Sequence, residues 1–159
     1  MDYENVVRDF AKRTRKNLEY IEQGKKEGNE VYEITHLINS CLGLLVLPHE
    51  NYINSIPTTS LDKLKDQGWV VPQTINGTQP NDLKDLIRLL RNGVAHCNIA
   101  FTADSESKLD TLKIWNTQPR SGEKTWETEL GFEELRSILF KFSDLILEHS
   151  EHDQTSDKL

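Results

Sequence analysis

Four stretches of this chain repeat their apolar residues at helical spacing, and between the third and fourth the period shortens to that of strands. Such a pattern fits a mainly α fold: four long helices forming a helical bundle, with a small antiparallel β insertion before the last helix. The first stretch runs from Tyr3 to Gln23, with Val7, Phe10, Thr14, Leu18 and Ile21 in phase, and ends at Gly24. The second, Glu30 to Val46, carries Val31, Ile34, Leu37, Ile38, Cys41, Leu42 and Leu45, and Pro48 is expected to stop it. In the third, Asn81-Asp82 supplies a cap, and Leu83, Leu86, Ile87, Leu90 and Val94 make one apolar stripe from about Asp82 to His96. The fourth begins at Phe132 and uses Leu135, Ile138, Leu139, Phe142, Leu145 and Ile146, with Glu133 and Glu134 in a first turn whose dipole favours them.

Between Pro48 and Pro80 lie four of the five prolines and the pair Asn76-Gly77, which reads as a long connection holding at most a short helix at Leu61 to Gln67. Short strands are expected at Asn98 to Phe101, Thr111 to Trp115 and Thr125 to Thr128. Residues 1–148 are read as a single domain and residues 149–159 as a disordered acidic tail.

A net charge of -7 excludes a protein that coats nucleic acid nonspecifically, although it leaves room for a local basic site. Cys41 and Cys97 both sit in apolar surroundings and have no partner at metal-ligand spacing. They are read as buried thiols of a cytoplasmic protein, with no metal or cofactor expected. The longest apolar run, Cys41 to Leu47, falls far below the roughly 20 residues of a membrane span, so no membrane partner is expected.

Chemistry concentrates at the end of the third helix. Arg91 is the only arginine with a histidine four to six intervening residues away, and that histidine is His96. Asn92 stands one turn before His96 on the same helix face, and Arg88 one turn before Asn92. On an ideal wheel Arg91 is offset from His96 by about 140°, so it reaches a shared phosphate through its long stem or from a second subunit. Cleavage of RNA by its own 2′-hydroxyl needs a proton carrier near neutral pKa and a fixed cation on the developing phosphorane. His96 suits the first role, Arg91 the second, and Asn92 can orient either. Arg88 and Lys84 lie upstream as candidate contacts to the substrate backbone. Gly93, which costs a helix about 1 kcal/mol relative to alanine, implies close approach of another backbone or a ligand.

Leu90-Arg91-Asn92-Gly93-Val94-Ala95-His96-Cys97-Asn98-Ile99 resembles the signature of the HEPN superfamily, in which an arginine, a polar residue and a histidine close the third long helix. The second helix, Val31 to Pro48, and the final helix, Leu130 to Leu147, resemble a bacterial branch of it associated with plasmids and mobile elements. The resemblance implies a metal-independent endoribonuclease that acts as a homodimer with the Arg-His motifs at the interface and leaves a cyclic phosphate on its RNA substrate. Many relatives are toxins or phage-defence effectors, which implies an antitoxin or regulatory protein as a further partner. Others lack activity and only bind a nucleotide, RNA or a protein. The β insertion and the acidic balance are not part of the minimal family fold.

Other features have plainer readings. Arg8, Lys12, Arg13, Arg15 and Lys16 form a solvated helix face, and His149 and His152 belong to the charged tail. Trp69, Trp115 and Trp126 are expected in the core, and Asn76-Gly77-Thr78 as a turn. The segment Pro48 to Pro80 could dock a larger assembly, which is a third, structural role.

Overall fold

The computed structural model describes residues 5–103, 105–106 and 108–156, with side chains described through Glu148. The chain forms two compact units, Met1–Ser55 with Leu139–Leu159, and Ile56–Ile138.

In the first unit, α1 (Val6–Lys26) starts at Asn5, whose side chain accepts a hydrogen bond from the Arg8 amide at 3.0 Å. That bond satisfies one of the helix's orphan donors. Ala11 and Leu18 are its fully buried positions. Next, α2 (Glu33–Cys41) runs directly into a π-helical segment, Leu42–Val46, and then α3 (Leu47–Tyr52). Pro48 therefore does not stop the second helix. The i→i+5 segment has already opened the α ladder just upstream, so the proline falls in the first turn of α3, where its missing donor costs little. Gly43 lies at the crossing with α1, since a Cβ there would stand 2.8 Å from Phe10 Cε1. Leu44 and Leu45, one after the other in this wider turn, are both fully buried.

Arg15, from the basic face of α1, pairs with Glu19 and with Asp144, and its guanidinium lies over the Phe140 ring at 4.4 Å from the centroid. Lys12 and Lys16 are exposed, as a solvated face requires.

The second unit opens with α4 (Leu61–Asp66) and β1 (Thr74–Gly77), followed by α5 (Leu83–Ala95), β2 (Ile99–Ala103), β3 (Leu109–Thr117) and β4 (Lys124–Gly131). The last helix, α6 (Phe132–Ser156), begins here, and its residues from Leu139 belong to the first unit. The strands form one antiparallel sheet in the order β1-β4-β3-β2. On β3 the residues Leu112, Ile114 and Asn116 alternate inward, as do Trp126, Thr128 and Leu130 on β4. Leu83, Leu86, Ile87 and Leu90 of α5 are all buried, each such side chain stabilising the fold by about 1.5–3 kcal/mol.

Mixed helices and a four-stranded sheet thus replace the expected bundle of four long helices. Two causes are local: the π segment divides the second helix, and the connection after Pro48 contributes β1 to the sheet. Trp126 is buried and donates to Thr74 Oγ1 at 3.1 Å, whereas Trp69 and Trp115 are only half-buried. The final helix is assigned to Ser156, into the segment read as a tail, and the side chains of His149 and His152 lie outside the described residues. Among the described residues no helix is long and apolar enough to cross a membrane.

Candidate functional site

The site is built on α5, whose two ends are fixed by different devices. At its start the Asp82 side chain accepts from the Asp85 amide at 2.9 Å, while Asp85 Oδ2 accepts from Asn81 Nδ2 at 2.9 Å. Asp85 also takes a hydrogen bond from Arg88 Nη2 at 2.7 Å, and this contact, with the Asn81 bonds, holds its carboxyl below the usual carboxylate range. At the end of α5 the Cys97 amide donates to Val94 O at 3.1 Å and the Asn98 amide to Gly93 O at 2.8 Å. These two bonds make a Schellman turn, with His96 as the C-cap and Cys97 in the left-handed position that usually falls to glycine.

Cys97 has φ 55°, and its thiol is exposed. The expectation of two buried thiols therefore holds only for Cys41, whose burial pushes its pKa up to about 12. Cys97 is turned outward by the αL backbone that ends the helix, whatever the polarity of its neighbours in sequence.

Gly93 lets α5 settle onto β3. A Cβ at that position would meet Ile114 Cγ2 at 2.2 Å and the Trp115 carbonyl oxygen at 3.1 Å, so the close approach implied by this glycine is that of a strand backbone. A second tie runs from Asn116 Nδ2 on β3 to the Leu89 carbonyl at 3.0 Å. Together they set the C-terminal half of α5 beside the end of β3.

A cleft of about 560 Å³ lies along this junction, entirely within the second unit. Arg88, Asn92 and His96 line it from the helix, and Asn98, Asn116 and Gln118 are among the residues lining it from the sheet side. A smaller cavity of about 320 Å³ continues from it past Arg88 towards Asn81. Among the cleft's lining residues Arg88 is the one cation, and no carboxylate is present.

Of the site residues expected from sequence, Arg88, Asn92 and His96 come together in this cleft. Arg91 is half-buried and does not line it; its Nη1 donates to Asn92 Oδ1 at 2.7 Å, so it stands beside the cleft behind Asn92. Lys84 is half-buried and lies outside the lining as well. His96 is exposed, whereas Arg91 is half-buried with its Nε below the surface.

Asn98, Asn116 and Gln118 were not expected. For Asn116 a signal existed, because it occupies the inward phase of a strand after Leu112 and Ile114, and a polar residue there needs a partner. Among the described residues, no three His, Cys, Asp or Glu side chains are grouped so as to hold a metal ion.

A family model described as HEPN pEK499 p136 matches residues 1–153. Comparisons with curated proteins and with solved structures give no match.

Proposed function

The chain belongs to the HEPN family defined by that match, and on this premise we propose that it is a metal-independent endoribonuclease acting at the end of α5. The 2′-oxygen of the substrate attacks the adjacent phosphorus, the bond to the 5′-oxygen breaks, and a 2′,3′-cyclic phosphate remains. His96 moves the proton in this exchange, since imidazole is the side chain whose charge changes near neutral pH. Arg91 stabilises the phosphorane with a charge that does not titrate, and Asn92 holds that guanidinium in place. Arg88 and Lys84 contact the backbone of the bound strand.

The observation that carries this reading is the polar cleft that gathers Arg88, Asn92 and His96, with Arg91 bonded to Asn92 at its margin. Because Arg91 stands outside the cleft of its own chain, the proposed active form is a homodimer in which Arg91 of one subunit completes the site at His96 of the other. Such a protein would act in the cytoplasm as a toxin or phage-defence effector, held in check by an antitoxin or regulatory protein.

Mixing two inactive variants tests the composite site. Arg91→Ala and His96→Ala proteins, dissociated and reassociated together, should recover about a quarter of parental cleavage, because half of the dimers are mixed and each has one intact site. A mixture as inactive as its components would exclude the shared site. The position of Arg91 also favours a second reading, in which the cleft binds a nucleotide, RNA or a protein and performs no cleavage. Parent protein that binds RNA and leaves it intact would decide for that reading.

A further inference from the structure

We infer that the cleft holds two phosphates of one RNA strand, and that Arg88, positioned by Asp85, takes the one that is not cut; this rests on the cleft being a nucleotide site. Arg88 stands where the cleft of about 560 Å³ meets the smaller cavity of about 320 Å³, and it lines both. His96 lies about 12 Å further along the axis of α5, at the helical rise of about 1.5 Å per residue. Asp85 draws the Arg88 guanidinium the other way, towards the start of the helix, with Nη2 on Oδ1 at 2.7 Å. The imidazole and this guanidinium of one chain are therefore too far apart to hold the same phosphate. A strand with its scissile phosphate at His96 brings a different one to Arg88.

The guanidinium is held by a chain of bonded groups. Asp85 Oδ2 accepts from Asn81 Nδ2 at 2.9 Å, and the Asp85 amide donates to Asp82 Oδ1 at 2.9 Å. The bond from Arg88 lowers the Asp85 pKa, so the carboxylate stays ionised at neutral pH. Arg88 is exposed, and among the described residues its other N–H groups have no hydrogen-bond partner. An arginine fixed along one edge keeps the rest of its planar fork for a second oxyanion. It also loses less conformational freedom on binding than a loose side chain would.

Charge decides on which side of Arg88 the phosphate lies. The lining of the larger cleft has no carboxylate, whereas Asp85 lines the smaller cavity. A phosphate is favoured on the cleft side, where no like charge repels it. The smaller cavity, with Pro80, Leu89 and Trp126 in its lining, suits the uncharged part of the next nucleotide, whatever its base.

The test is binding of a short 2′-O-methyl RNA strand, whose blocked 2′-oxygens prevent cleavage, followed by fluorescence anisotropy across a salt series. Each phosphate contact to a single strand contributes about 0.7 to the slope of log affinity on log salt, so Arg88→Gln should lower the slope by about 0.7. Its affinity at low salt should fall about ten-fold. Asp85→Ala should weaken binding about three-fold, although it removes a charge that repels the strand, and should cause no loss in the Arg88→Gln background. An unchanged slope in Arg88→Gln, or a parent that does not bind the strand, would overturn the second phosphate. Asp85→Ala without loss in the parent, or with a loss that persists in the Arg88→Gln background, would overturn the positioning role. The outcome is separable from the fate of the cleavage proposal. A slope change in a protein that leaves RNA whole sinks only the chemistry, and cleavage with an unchanged slope sinks only the second phosphate.

Discussion

Replacing Gly93 with alanine should destabilise the protein even though it improves the helix. In an open helix the change would stabilise by about 1 kcal/mol, because glycine loses more backbone freedom on folding. Here the new methyl would stand 2.2 Å from Ile114 Cγ2 and 3.1 Å from the Trp115 carbonyl oxygen. Neither neighbour yields readily: Ile114 is fully buried with a β-branched, stiff χ1, and the second atom belongs to the backbone of a central strand. Forcing a methyl into a packed core costs about 1–3 kcal/mol at ordinary overpacked sites, and a contact this short lies at the upper end. The net loss should be about 1–2 kcal/mol, or an unfolding temperature lower by about 2–8 °C for a chain of this size. Thermal unfolding followed by circular dichroism reads the shift directly. A double-mutant cycle adds a sharper criterion: Ile114→Ala should cost less in the alanine background than in the parent, by about 1 kcal/mol, since it removes the clashing methyl. If Gly93→Ala matches or exceeds the parent in stability, α5 does not approach β3 as closely as described, and the position of the cleft falls with it.

Cys97→Gly should stabilise by about 1 kcal/mol, read in chemical denaturation, because it removes a side chain from a left-handed residue while leaving the Schellman turn intact. Titration with a thiol reagent should show one cysteine reacting at once in the native protein, the exposed Cys97, and the second, Cys41, reacting only on unfolding, since it is buried and its pKa is near 12. Asp85 has a folded-state pKa below its unfolded value, so its contribution to stability is complete above about pH 4 and is lost as pH falls through the lowered value. Asp85→Asn should therefore lose less stability than the parent as pH falls below about 4 in a thermal-shift series, with the two curves parallel above that pH.

Much of the site's scaffold could be read from local sequence. The apolar stripe and the capping residues gave Asp82 to His96 for the third helix, and the structure ends α5 on those same two residues as caps. The strands after His96 were legible from their alternation, and all three lie within β2, β3 and β4 save for Asn98, whose carbonyl already bonds to β3. What escaped depends on partners distant in sequence. β1 has only the residues Thr74–Gly77, and its strand character comes from pairing with β4, where Thr74 faces Thr128. The π segment follows from packing Gly43 against α1, a contact that periodicity within one helix does not reveal. Asn116, Asn98 and Gln118 belong to the cleft only because Gly93 and the Asn116–Leu89 bond seat the helix on the sheet. The bond from Arg91 to Asn92 is likewise invisible to a wheel that compares only Arg91 with His96.

Cleavage of a single-stranded RNA in the presence of a chelator, by the parent and by His96→Ala, tests the catalytic claim most directly. The parent should cut and leave 2′,3′-cyclic phosphate ends, while the variant, losing an exposed side chain, keeps its unfolding temperature and cuts at least about 100-fold more slowly. Equal rates for the two proteins, or RNA left whole by the parent, would contradict it.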